Sequence, residues 1–114
     1  MPSADDALMG RPRIIVDRTD LRRPLKAEAR IRNVESGQFG GRLIDISEHG
    51  CKIELFDIEA SVGQKITIKL ENLEVWIGFV MWVRGSSIGV SFERPMHSAV
   101  VDHLSRSHPS FELR

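Results

Sequence analysis

The sequence predicts an all-β domain: six short antiparallel strands forming a barrel or sandwich, with a C-terminal α-helix. Three observations carry this. From Ala27 onward apolar and polar residues alternate at period two, the signature of half-buried strands. Turn residues cut that alternation into six runs within about 80 residues. After Pro95 the period changes to that of a helix. Closure into a barrel is the usual remedy for exposed edges in so small a sheet. The 114 residues suffice for one core without disulfides.

The elements follow in order. Residues 1–12 are small and polar, with Pro2, Gly10 and Pro12, and are expected to form a mobile tail. Residues 13–26 are basic and show little periodicity. A barrel over 27–93 comes next. Its first strand alternates Ala27, Ala29 and Ile31 with charged residues. Gly37, Gly40 and Gly41 are read as a turn, and Arg42 to Ile46 as the second strand. Ser47 to Gly50 is a tight turn, with Gly50 expected at positive φ. Cys51, Ile53 and Leu55 alternate in a third strand, and Ile66, Ile68 and Leu70 in a fourth. Val75, Ile77, Phe79, Met81 and Val83 alternate along a fifth, with Gly78 marking a bulge or a close backbone approach. Gly85-Ser86-Ser87 is a hairpin turn, and Ile88, Val90 and Phe92 form the sixth strand. Met96, Val100 and Leu104 lie four apart, which predicts a helix over 95–106. Residues 107–114 are expected to fray.

Composition excludes several classes. The single cysteine, Cys51, rules out a disulfide framework and a cysteine-rich zinc site, and a small inward core role suits it. One cysteine and no apolar run in the first 13 residues predict a reducing, cytoplasmic setting without a secretory signal. No window approaches 18 consecutive apolar residues, so no membrane insertion is expected. His49, His97, His103 and His108 form no metal or catalytic motif and read as solvated. Gly37 to Gly41 lacks the Lys-Ser/Thr of a phosphate loop and precedes a strand. The chain is therefore not expected to be an enzyme, nor to carry a metal or cofactor. Net charge is zero, which argues against a nucleic-acid polymer as ligand. Two Trp, five Phe and no Tyr offer few stacking platforms for single strands. The charge is unevenly placed, however. Residues 11–32 hold eight basic and three acidic side chains, a local +5.

Two motifs remain. Arg18 and Arg22 stand four apart in that basic stretch, with Arg23 directly after. Guanidinium groups pair bidentately with phosphates and stack on aromatic rings, so two of them suit a phosphorylated aromatic ligand. Asp45, Ser47 and Gly50 sit at a strand-to-strand turn. A carboxylate there can accept from the adjacent N1–H and N2–H donors of guanine. Taken singly, each motif has an ordinary reading, a solvated arginine run and a plain turn. Their combination in this order is more specific.

At these residues the sequence resembles the PilZ domain, a bacterial receptor module for cyclic di-GMP. Arg18 and Arg22 match its RxxxR motif, and Asp45, Ser47 and Gly50 match its [D/N]xSxxG motif. Gly63, Val80-Met-Trp82 and Ile88-Gly-Val-Ser-Phe92 followed by Pro95 extend the likeness over roughly residues 14–106. The resemblance implies a PilZ-type six-stranded barrel with a C-terminal helix, binding cyclic di-GMP. Arg18 and Arg22 would stack on guanines and contact phosphates. Asp45 and Ser47 would read a guanine edge, with Gly50 shaping the turn and Arg23 as an extra phosphate contact. Pairing Arg22 with Lys26 is the other register, but it loses one guanidinium. The resemblance further implies that the arginine segment wraps over bound ligand and signals to an effector protein, from a monomer or weak dimer. The alternative on the same fold is a ligand-independent adaptor.

Overall fold

The computed structural model describes residues 20–33, 37–56, 60–70 and 72–110. Six strands and one helix follow in chain order: β1 (Arg23–Asn33), β2 (Gly37–Ile46), β3 (Gly50–Leu55), β4 (Lys65–Lys69), β5 (Trp76–Arg84), β6 (Ser87–Phe92) and α1 (Ser98–Ser107). Every strand pairing is antiparallel. The order around the sheet is β1-β2-β3-β6-β5-β4, and β4 pairs back onto β1. The sheet is therefore a closed barrel, and no strand edge is left open among these six.

Period two explains the core. Along β1, Leu25, Ala27, Ala29 and Ile31 point inward while the intervening residues are exposed. Leu43 and Ile46 of β2, Cys51 and Ile53 of β3, Ile66 and Ile68 of β4, and Ile88 and Val90 of β6 fill the interior with them. The helix packs against β1 and adds Val101 and Leu104 to the core. Met96, just before it, is also buried.

Several boundaries and facings differ from the sequence reading, each for a packing reason. The first strand starts at Arg23, not Ala27. The glycine cluster expected as a turn lies within β2, where Gly37, Gly40 and Gly41 pair with Asn33, Arg30 and Ala29. Glycine serves close approach there: a Cβ on Gly41 would stand 3.0 Å from Ile53 Cγ2 and 3.1 Å from the Glu54 carbonyl oxygen. On β5 the inward residues are Trp76, Gly78 and Val80. The Val75-to-Val83 series faces out, with Val75 and Val83 exposed. A Cβ on Gly78 would stand 2.5 Å from Val90 Cγ1, so of the two expectations for Gly78, a bulge or a close approach, the close approach is the one found. The strand's bulge falls later, between Val80 and Trp82.

The helix begins at Ser98, capped by His97, whose Nδ1 accepts from the Ala99 N–H at 2.9 Å. It runs to Ser107, and His108 is tied down rather than frayed. Its N–H donates to the Leu104 carbonyl at 3.1 Å, and its carbonyl accepts from the Lys26 N–H at 2.9 Å.

Candidate functional site

The site begins with a β-bulge. Pairing between β2 and β3 shifts register between Leu43 and Asp45, so Ile44 is an extra residue. Strict alternation from inward Gly41 and Leu43 would bury Asp45. The extra residue turns Asp45 outward and restores Ile46 to the core. The opposite neighbour of Asp45 on β1 is Pro24, also beside a register shift. Proline has no N–H to give a ladder and tolerates such a position. The chain immediately before it, Asp20 to Arg23, is thereby laid beside Asp45 to Ser47.

The turn itself is held by its backbone. The Ser47 N–H donates to the Gly50 carbonyl at 2.9 Å. The His49 and Glu48 carbonyls accept from the Phe92 and Met96 N–H groups at 2.8 and 2.7 Å. The turn is thus fastened to the segment that leads into α1. Gly50 is not at positive φ; the described glycines in that region are Gly37, Gly63 and Gly85. Gly50 is required because a Cβ would lie 2.2 Å from the Val90 carbonyl oxygen.

Side chains of both motifs meet here. Arg22 Nη2 donates to Asp45 Oδ1 at 2.7 Å, and Arg22 Nη1 to Ser47 Oγ at 3.3 Å. Ser47 is fully buried. Its hydroxyl donates to Asp20 Oδ2 at 3.0 Å and accepts from the His49 N–H at 3.2 Å. With Arg22 as a second donor to it, the hydroxyl's one proton and two lone pairs are used. The other Asp20 oxygen lies 3.0 Å from His49 Nδ1.

The structure therefore brings together Arg22, Asp45, Ser47 and Gly50. Arg18 lies outside the described residues, as does the 1–12 tail. Arg23 points elsewhere: its Nη1 is 3.6 Å from Asp102 Oδ1 on α1, and Asp102 also binds Arg106 at 2.6 Å. Asp20 and His49 were missed. Asp20 is an acid inside a basic motif, and that interruption was the available signal. Among the described residues no group of three metal-ligating side chains converges, and no helix is long and apolar enough to cross a membrane.

Cys51 sits directly beneath this corner and is fully buried. Burial pushes its thiol far above the ordinary range; the Asp45 charge raises it further and Arg22 offsets part of the rise. The native thiol is therefore unreactive. A thiol reagent such as DTNB is expected to label the chain only when denaturant is present; rapid labelling of the folded chain contradicts this. The linked pH effect has a definite sign. Above about pH 8.5 the unfolded thiol ionises while the native one keeps its proton. Cys51's contribution to stability is thus complete below that pH and falls as pH rises. Cys51→Ala is expected to show a shallower alkaline decline in Tm than the parent chain.

Comparison with known proteins places the fold. Residues 17–107 match the PilZ domain family, a span that includes both motifs and reaches the end of α1. No curated protein matches the chain. Among solved structures the chain is similar to the crystal structure of the PilZ domain of CeSA from a cellulose-synthesizing bacterium. The two are 12% identical with a TM-score of 0.54, over 73% of this chain and 88% of that one, a likeness of fold. By its match over most of its length, the six-stranded closed barrel and the C-terminal helix, the chain belongs to the PilZ domain family.

Proposed function

We propose that the chain is a cyclic di-GMP receptor that carries the signal to a protein partner, and that it performs no catalysis. One observation carries the reading: Arg22, Asp45 and Ser47, from two motifs more than 20 residues apart, meet at one corner of the barrel. Asp45 faces outward there, available to accept from a guanine edge. Arg22 is about half exposed and supplies a guanidinium for phosphate or base. Arg18 is the second arm of the clamp. Arg23 is the further phosphate contact. Its ion pair with Asp102 is partly exposed on both sides, so breaking it costs no more than about 1 kcal/mol. That exchange links ligand binding to α1, and the arm and helix together form the surface read by an effector. A monomer or weak dimer in the cytoplasm fits this role.

The test is a calorimetric titration of the intact chain with cyclic di-GMP. Saturable heat at micromolar ligand is expected. Absence of heat and saturation at tens of micromolar contradicts the reading. The second reading, a ligand-independent adaptor, is favoured by the outer face of β5. Exposed Val75, just before the strand, and Val83, within it, bracket half-buried Ile77, Phe79 and Met81.

A further inference from the structure

We infer that Asp20, the acidic residue inside the arginine motif, is an internal competitor for the nucleotide site, occupying the ligand-facing groups of the corner until ligand displaces it. The inference rests on the receptor reading above and adds a residue that sets its affinity.

Asp20 occupies the donors that a ligand needs. Its Oδ2 takes the Ser47 hydroxyl proton at 3.0 Å and lies 3.9 Å from Arg22 Nη1. Its Oδ1 lies 3.0 Å from His49 Nδ1. A carboxylate is an acceptor only, as are phosphate oxygens and the O6 and N7 atoms of guanine. Asp20 thus presents to Ser47 and Arg22 the same kind of atom as an incoming nucleotide, while His49 only anchors it. Its side chain is only 14% exposed, so it is seated in the corner rather than waving in solvent. Charge points the same way. Asp20 and Asp45 together place two carboxylates around the single Arg22 guanidinium. A dianionic ligand approaching that corner meets an excess negative charge, which departure of Asp20 removes.

The competitor therefore lowers affinity and holds the ligand-free corner in order. Asp20→Ala is expected to bind cyclic di-GMP about three- to tenfold tighter than the parent chain, the size of one lost hydrogen bond or ion pair. Asp20→Asn, which keeps an acceptor but loses the charge, is expected to fall between them. His49→Ala removes one anchor of Asp20 and is expected to tighten binding less. In the Asp20→Ala background it is expected to add nothing, because it acts through Asp20. Glu28→Ala, an exposed acid on the outer face of β1, separates this effect from a general change of charge and is expected to leave affinity unchanged.

Parallel calorimetric titrations with cyclic di-GMP decide the matter, with thermal melts confirming that each variant folds. Tighter binding by Asp20→Ala but not Glu28→Ala supports the competitor. Equal or weaker binding by Asp20→Ala, or equal tightening by both variants, overturns it while leaving the receptor reading intact. Absence of binding by both the parent chain and Asp20→Ala overturns both.

Discussion

Arg22→Ala is expected to weaken cyclic di-GMP binding by about a hundredfold while shifting Tm by no more than a few degrees. The two effects separate because Arg22 contributes little to the fold. Its pair with Asp45 lies at the surface, where such pairs contribute about 1 kcal/mol or less. Its hydrogen bond to Ser47 is long at 3.3 Å, and Ser47 keeps Asp20 and the His49 N–H as partners when Arg22 is gone. The proposed ligand, by contrast, loses a planar cation placed beside the Asp45 carboxylate. Charge-assisted hydrogen bonds contribute about 1.5–3 kcal/mol each, and a bidentate contact uses two. Calorimetry and a thermal melt on the same preparation check both halves. Unchanged affinity contradicts the clamp assignment, and a collapse of Tm would mean that Arg22 is structural.

Gly50→Ala is expected to act in the opposite way, through the fold. Gly50 pairs with Ser91 at the start of β3, and its carbonyl closes the Ser47 turn. An added Cβ would meet the Val90 carbonyl oxygen at 2.2 Å, a backbone atom that no rotamer change can move. The β3–β6 pairing must open to admit it. Overpacking of this kind costs about 1–3 kcal/mol or more, which lowers Tm by about 10 °C in a domain of this size. Gly37→Ala is the comparison: nothing lies within 4 Å of a Cβ there, and only its φ of +80° is strained. A Gly50→Ala variant as stable as the parent chain contradicts the close-approach account.

Much of this molecule is legible in the sequence because burial and alternation coincide. Ala27-Ala29-Ile31 and Ile66-Ile68 read as strands and are strands, with those residues inward. The helix shows itself through Met96, Val100 and Leu104, although only the last two lie within it. What alternation hides is a glycine in a strand. Gly40 and Gly41 look like a turn because the reason for them, the Phe56 ring and Ile53 pressed close by, comes from elsewhere in the chain. Along β5 both faces are apolar, so period two alone cannot say which is inside. Trp76 and Val80 take the core, and Val75 and Val83 face solvent.

The site divides in the same way. Arg22, Asp45, Ser47 and Gly50 are recognisable as motif residues. That Asp45 faces outward depends on the Ile44 bulge, whose trace in the sequence is the three-residue step from Leu43 to Ile46. The role of Gly50 follows from the neighbouring β6 strand rather than from its own turn. Asp20 and His49 lie 29 residues apart and are joined only by the fold. The pairing of Arg23 with Asp102 on α1 is likewise made only by the fold.

The central claim is that cyclic di-GMP sits on the corner formed by Arg22, Asp45 and Ser47. Amide NMR of the isotopically labelled chain during titration with cyclic di-GMP tests it most directly. The account predicts the largest shifts at residues 20–23 and 45–51, smaller ones along α1 near Asp102, and little change along β4 at Lys65–Lys69. Shifts centred on β4, or spectra that do not change at saturating ligand, contradict it.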